Sequence, residues 1–143
     1  YFAADCEADG RLSLVLEVEH FITCSDGRAA DFAAVQAAVQ DMQQQTDAPI
    51  IVDGTYMGYS GLAASVTVGP ACQLCLTLAA QRDVQDMMDL YNRLYLQMGL
   101  ALAAHGLRAW ALGCHPTTRA EVLPLVMKPW TGISKIPAPV ERR

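Results

Sequence analysis

Apolar and polar residues alternate along Arg11–Thr23, "RLSLVLEVEHFIT". A period of two predicts a long strand over these residues. Leu12, Leu14, Leu16, Val18 and Ile22 line one face, and Ser13, Val15, Glu17, Glu19, Phe21 and Thr23 line the other. Cys24-Ser25-Asp26-Gly27 reads as the turn that ends it. The period then changes. Phe32, Val35, Val39 and Met42 recur at three- and four-residue steps, which predicts an amphipathic helix over 31–45 with Asp31 as its cap. Ile50-Ile51-Val52 is a short buried run, and "DGTYMGYSG", 53–61, reads as a glycine-rich loop holding Tyr56 and Tyr59. Residues 65–68 and 72–78 read as extended, with a bend or bulge at Gly69-Pro70.

The clearest helical pattern is 83–105. Its apolar stripe is Val84, Met87, Met88, Tyr91, Leu94, Tyr95, Met98, Ala101 and Leu102, and Gly106 follows as its stop. A strand over 107–112 leads into a Gly-Cys-His-Pro loop, and Thr118 with Glu121 forms a capping box on a short helix. From Leu123 onward recurring prolines oppose regular structure. This order predicts an α+β fold, a mainly antiparallel sheet with helices packed on one face. The other face carries Glu17 and Glu19. The α+β domain is expected over 1–128, and 129–143 is expected to be a Pro-rich tail or linker.

Composition narrows the partners. Hydrophobic residues make up 52% of the 143 and charged residues 17%, which excludes a disordered chain. No apolar run reaches bilayer length, and Tyr1–Asp5 shows no basic region leading an apolar one, so neither a membrane span nor a signal peptide is expected. The first residue is not Met, as in a trimmed or excised piece. A net charge of −5 and no basic stripe argue against nucleic acid as a partner. Five cysteines without a secretory signal point to reduced thiols in a cytoplasm.

Three sets of residues could carry chemistry. Cys72 and Cys75 have the spacing of a zinc knuckle or a redox pair. A knuckle needs a tight turn and usually a second pair, and a redox pair should open a helix. On a strand, residues three apart point to opposite faces, so small residues in a sheet are the ordinary reading. Glu17 and Glu19 share a strand face and would repel unless a cation sits between them. Mg²⁺ or Mn²⁺ suits carboxylate oxygens, and a solvated sheet face is the bland alternative. His115 sits in a loop at a strand end, where function often lies, although a lone loop histidine is commonly a hydrogen-bonding residue. His20 falls on the apolar strand face, and His105 ends a helix, where a cation would favour the dipole. No nucleophile elbow and no Gly-rich phosphate loop is present.

Several segments together resemble the glutamate–cysteine ligase family, carboxylate–amine ligases with a glutamine synthetase-like fold. "LEVEHF" resembles the family's Gly-x-Glu-x-Glu-His-Phe strand. "SVTVGPACQLCLTLA" resembles its Ser-Ile-Thr-Leu-Glu-Pro-Gly-x-Gln-Leu-Glu-Ile-Ser strand, and "AAHGLRAWALGCHPTTRAEVLPLVMK" its helix end, strand and Gly-x-His-Pro-Thr loop. Order and spacing agree across 11–128. The resemblance implies ATP-dependent phosphorylation of the glutamate γ-carboxylate, attack by the cysteine amine, and Mg²⁺ on the phosphates. It implies Glu17 and Glu19 as metal ligands, and Gln73, His115 and Arg119 as substrate-binding candidates. A small amino acid and a nucleotide are the implied ligands, and a second copy or a complementary subunit the implied protein partner.

The chain departs from the family's pattern at Gly69 and Cys75, which stand where the family has metal-binding glutamates, and at Leu16, which replaces a glycine. A neutral thiol is a poor Mg²⁺ ligand. The family's catalytic domain is also much longer, so the rest of the sheet and most of the nucleotide site would come from elsewhere or be missing. The expectation is an incomplete or inactive ligase homologue. The alternatives are a catalytically dead binding module for a partner subunit or small amino acid, and a zinc protein through Cys72 and Cys75.

Overall fold

Leu74, Leu76 and Leu78 are buried, and the residues between them are only half-buried. That alternation, repeated in Ala64, Val66 and Val68, builds a sheet with one dry face. The computed structural model describes residues 13–123. In chain order they form β1 (Glu17–Cys24), α1 (Phe32–Met42), β2 (Ala48–Val52), β3 (Thr55–Ser60), β4 (Ala64–Val68), β5 (Leu74–Leu78), α2 (Val84–Ala104) and β6 (Leu107–Trp110). All strand pairings are antiparallel, in the order β2-β3-β4-β5-β1-β6. The fold is α+β, as the alternation of periods predicts.

Both helices cover the same face. Val35, Ala38 and Val39 of α1 and Met87, Met98 and Leu102 of α2 join Ile22, Val66, Leu74 and Leu76 in one core. Asp31 caps α1 by accepting from the Ala33 amide at 3.1 Å. Asp83 caps α2 by accepting from the Gln85 amide at 2.6 Å, which satisfies donors that the first turn leaves free. Past the other end of α2, Gly106 takes φ +69°, the left-handed stop that glycine supplies. His105 at that end meets Asp41 of α1 at 2.7 Å, tying the two helices together.

His20 is fully buried on the helix side. Its Nδ1–H donates to the Leu74 carbonyl at 3.4 Å, and its Nε2 accepts from the Tyr91 hydroxyl at 3.1 Å. The ring packs against both Tyr91 and Tyr95, which also stack on each other, so the three rings form one cluster. Burial lowers its pKa, partly offset by backbone hydrogen bonds.

Several expectations are corrected. The loop expected over 53–61 contains β3, because Asp53-Gly54 alone makes the turn. Val52 pairs with Thr55, and both turn residues have positive φ, +48° and +76°, the two-residue hairpin geometry that matches strand twist. Strand β1 begins at Glu17, and among the described residues a 2.9 Å bond from the Leu78 amide to the Leu16 carbonyl and an isolated bridge from Leu14 to Gln81 extend the pairing back. Helix α1 stops at Met42 and not at 45. Asp47 captures the Gln44 amide, and the Gln43 side chain bonds the Asp47 carbonyl and the Tyr56 hydroxyl, so local bonds replace the next helical turn. Cys72 lies in a tight turn closed by a 3.1 Å bond from the Gln73 amide to the Pro70 carbonyl, ahead of β5. Strand β6 ends at Trp110, two residues early. The capping box at Thr118 does not form: Arg119 precedes a 3₁₀ turn, Ala120–Val122, without a side-chain cap. Val84 and Met88, expected in the buried stripe of α2, are exposed. The boundary at 128/129 and the Pro-rich segment 129–143 lie outside the described residues.

Candidate functional site

The face of the sheet opposite the helices holds a cleft of about 390 Å³. Register places its contents. Glu19 pairs with Cys75 and Glu17 with Thr77. On the other side of β5, Thr67 pairs with Cys75. Residues directly opposite share a face, so these side chains form one polar strip across three strands. Gln73, Gly69 and Pro70 close one end of the cleft, and Ile50, Val52 and Met57 form an apolar wall from β2 and β3.

The wall reaches the cleft because the sheet bends there. A register shift between Ile50 and Ile51 marks a β-bulge. Opposite it, Gly58 at φ +143° lets β3 approach β4 so closely that a Cβ there would fall 2.0 Å from the Val66 carbonyl oxygen. Gly69 and Gln73 bracket the β4–β5 loop through a 2.7 Å bond from the Gly69 amide to the Gln73 carbonyl. Inside this loop Ala71 and Cys72 hold φ of +55° and +57°, a left-handed conformation that costs a non-glycine residue about 1–2 kcal/mol.

Glu17 and Glu19 are exposed at the mouth. Cys75 is half-buried between them and Thr77. Its thiol pKa is raised, first by burial and then by donation to the Glu17 carboxylate and the negative charge of both glutamates. The thiol is therefore protonated at neutral pH and faces the carboxylates as a neutral donor. Cys72 lies on the opposite side, fully buried in the core, with its pKa pushed up to about 11 by the same desolvation. The two sulfurs are thus on different faces, and one ion does not reach both.

The structure brings Glu17, Glu19 and Gln73 together with Gly69 and Cys75. It leaves His115 and Arg119 out of the cleft lining. His115 is 9% exposed and sits edge-on to Phe21, at 5.7 Å between ring centroids. Its Nδ1 accepts from the Thr117 and Thr118 amides at 3.3 and 2.9 Å, so the proton is on Nε2, which has no hydrogen-bond partner among the described residues. Burial lowers its pKa, which makes it a neutral loop clamp and not a cation. Arg119 is exposed beyond it.

The apolar wall and the threonines were not among the candidates read from sequence. Their signal was present in the Asp-Gly turn, which folds 50–52 and 55–60 into a hairpin, and in Thr67 and Thr77 at strand positions of the same parity as Cys75. No family model and no curated protein matches this chain. Among the described residues no helix is long and apolar enough to cross a membrane.

Proposed function

We propose that this chain is a glutamate–cysteine ligase-like domain whose open sheet face is a weakened metal and substrate site. One observation carries the reading. The positions that the resemblance assigns to the site, Glu17 and Glu19 on β1, Gly69 and Gln73 at the ends of the β4–β5 loop and Cys75 on β5, line a single cleft. A second feature supports the strand alignment. The motif's Pro-Gly corresponds to Pro70-Ala71, and Ala71 is held in the left-handed conformation that glycine would satisfy without strain.

The donor set fits a divalent hard ion only in part. Mg²⁺ commonly takes one or two carboxylates and completes its shell with water and phosphate oxygens. Glu17 and Glu19 would hold it, with the Gln73 amide oxygen nearby, and it would offset charge on nucleotide phosphates. The neutral Cys75 thiol and Gly69 add no charge where two carboxylates are expected. The domain therefore binds metal weakly and, as this chain alone, does not turn over ATP, glutamate and cysteine toward the glutathione precursor. A complementary subunit in the same cytoplasm would supply the further carboxylate and phosphate contacts.

Titration with Mn²⁺ tests this. Wild type binds weakly, Glu17→Ala abolishes binding, and Gly69→Glu with Cys75→Glu tightens it about tenfold or more, as added carboxylate ligands should. Gly69 has ordinary backbone angles (φ −97°) and a Cβ there meets nothing closer than 3.6 Å, so the restoring change is tolerated. Unchanged Mn²⁺ affinity in the restored variant would overturn the assignment. ADP release by the unmodified chain with glutamate, cysteine, ATP and Mg²⁺ would overturn the claim of inactivity.

A second reading, a ligand-binding module without catalysis, is favoured by the lining itself. Among the described residues no Lys, Arg or His lines the cleft, so none of them stabilises phosphate there in the absence of metal.

A further inference from the structure

We propose that the cleft itself accepts a primary ammonium ion bearing a short apolar body, in place of an anionic ligand. The site is the one assigned above and its location rests on that reading, but the inference does not need the metal.

The lining is divided by chemistry along its length. At one end Glu17 and Glu19 present carboxylates from adjacent outward positions of β1, with the Thr77 hydroxyl directly across from Glu17. At the other end Ile50, Val52 and Met57 present only hydrocarbon and a thioether. Cys75 lies between the two ends as a neutral thiol. An anion entering this cleft would meet two negative groups and, among the described residues, no positive one. A hydrated inorganic cation would gain from the carboxylates but leave the apolar wall in water. An alkylammonium satisfies both ends: its N–H groups donate to the carboxylates and a threonine hydroxyl, and its chain covers the wall.

Size sets the body. Three interstrand steps of about 4.8 Å separate the backbones of β1 and β3, which carries Met57, and four separate β1 from β2, which carries Ile50 and Val52; side chains from both sides shorten the gap. A chain of roughly six carbons covers about half of the three-step span, and the side chains of Glu17, Glu19 and Met57 extend into the remainder from either end. Because Glu17 and Glu19 are exposed, the ion pair stays partly hydrated and the affinity is weak.

The test is an NMR titration of the ¹⁵N-labelled chain, following the amides of 17–19 and 73–77. Hexylammonium is the probe and hexanoate its control, with the same body and opposite charge. Hexylammonium is expected to give saturable shifts at these amides, and hexanoate none. Glu17→Gln with Glu19→Gln weakens hexylammonium about tenfold, as loss of two exposed ion pairs should. Ile50→Ser weakens it as well. The proposal is overturned if hexylammonium gives no saturable shift, if hexanoate matches it, or if the double glutamine variant binds it unchanged.

A separate Mn²⁺ arm reads paramagnetic broadening at the same amides. Broadening that needs the glutamates but ignores Ile50→Ser, without a hexylammonium response, sinks the ammonium inference and leaves the ligase-like reading standing. A hexylammonium response without Mn²⁺ broadening does the reverse.

Discussion

At the scale of single residues, two side chains carry costs that the fold must offset. Ala71 holds φ +55° without glycine's freedom from Cβ clash. Ala71→Gly should raise unfolding stability by about 0.5–1 kcal/mol in urea melts, since relief of the left-handed strain exceeds the added freedom of the unfolded chain. Lower stability in that variant would show that the backbone there is not strained. His20 bears a different cost. It is neutral in the fold because burial lowers its pKa below the ordinary 6.5. The unfolded state then binds a proton that the folded state refuses. This contribution is complete above about pH 6.5 and is lost as pH falls toward the folded-state value. His115, also lowered by burial, adds in the same direction. Urea midpoints should therefore decline from neutral pH to about pH 5, and His20→Phe should flatten that decline while costing stability at every pH through loss of the Leu74 and Tyr91 bonds.

At the scale of elements, the bend that makes the cleft depends on Gly58. Any Cβ there meets the Val66 carbonyl oxygen at 2.0 Å and the Thr67 Cα at 2.9 Å. These are backbone atoms of the paired strand and cannot rotate away. Gly58→Ala should cost about 3 kcal/mol or more through overpacking and a disfavoured φ, checked by denaturant unfolding. A loss below about 1 kcal/mol would mean that β3 shifts freely and does not set the wall. The same hairpin marks where sequence reasoning stopped. Helix α2 was legible at both ends because Asp83, the stripe and Gly106 agree on one period. The polar face of β1 was legible because alternation in a strand fixes which side chains travel together. Residues 55–60 were not, because three glycines in nine residues mimic a loop. The Asp53-Gly54 pair was the one signal to the contrary: its positive φ values make a two-residue turn suffice, and the close approach to Val66 shows that Gly58 serves strand contact. The burial of His115 was equally hidden, since it depends on Phe21, far away in sequence, pressing against a loop.

At the scale of the whole molecule, the helices dry one face of the sheet and leave the other to carry a local excess of negative charge on a chain whose net charge is already −5. Cys75 is a natural reporter of that field. It lies among Glu17, Glu19 and Thr77, whereas Cys114 is exposed in the loop after β6 and serves as an internal reference. Both react with methanethiosulfonate reagents as thiolates, displacing sulfinate and forming a mixed disulfide, so the field acts on the approach of the charged reagent as well as on ionisation. Comparing a cationic with an anionic reagent at one pH cancels the ionisation part. The rate ratio, cationic over anionic and mapped by mass spectrometry, should be several-fold higher at Cys75 than at Cys114 in low salt. It should approach the Cys114 value near 1 M salt, where screening acts within about 3 Å. Glu17→Gln should lower the ratio at Cys75 and leave Cys114 unchanged. Equal ratios at the two cysteines in low salt would mean that the carboxylates do not shape the cleft's potential, and both its metal and its ammonium selectivity would then lose their electrostatic basis.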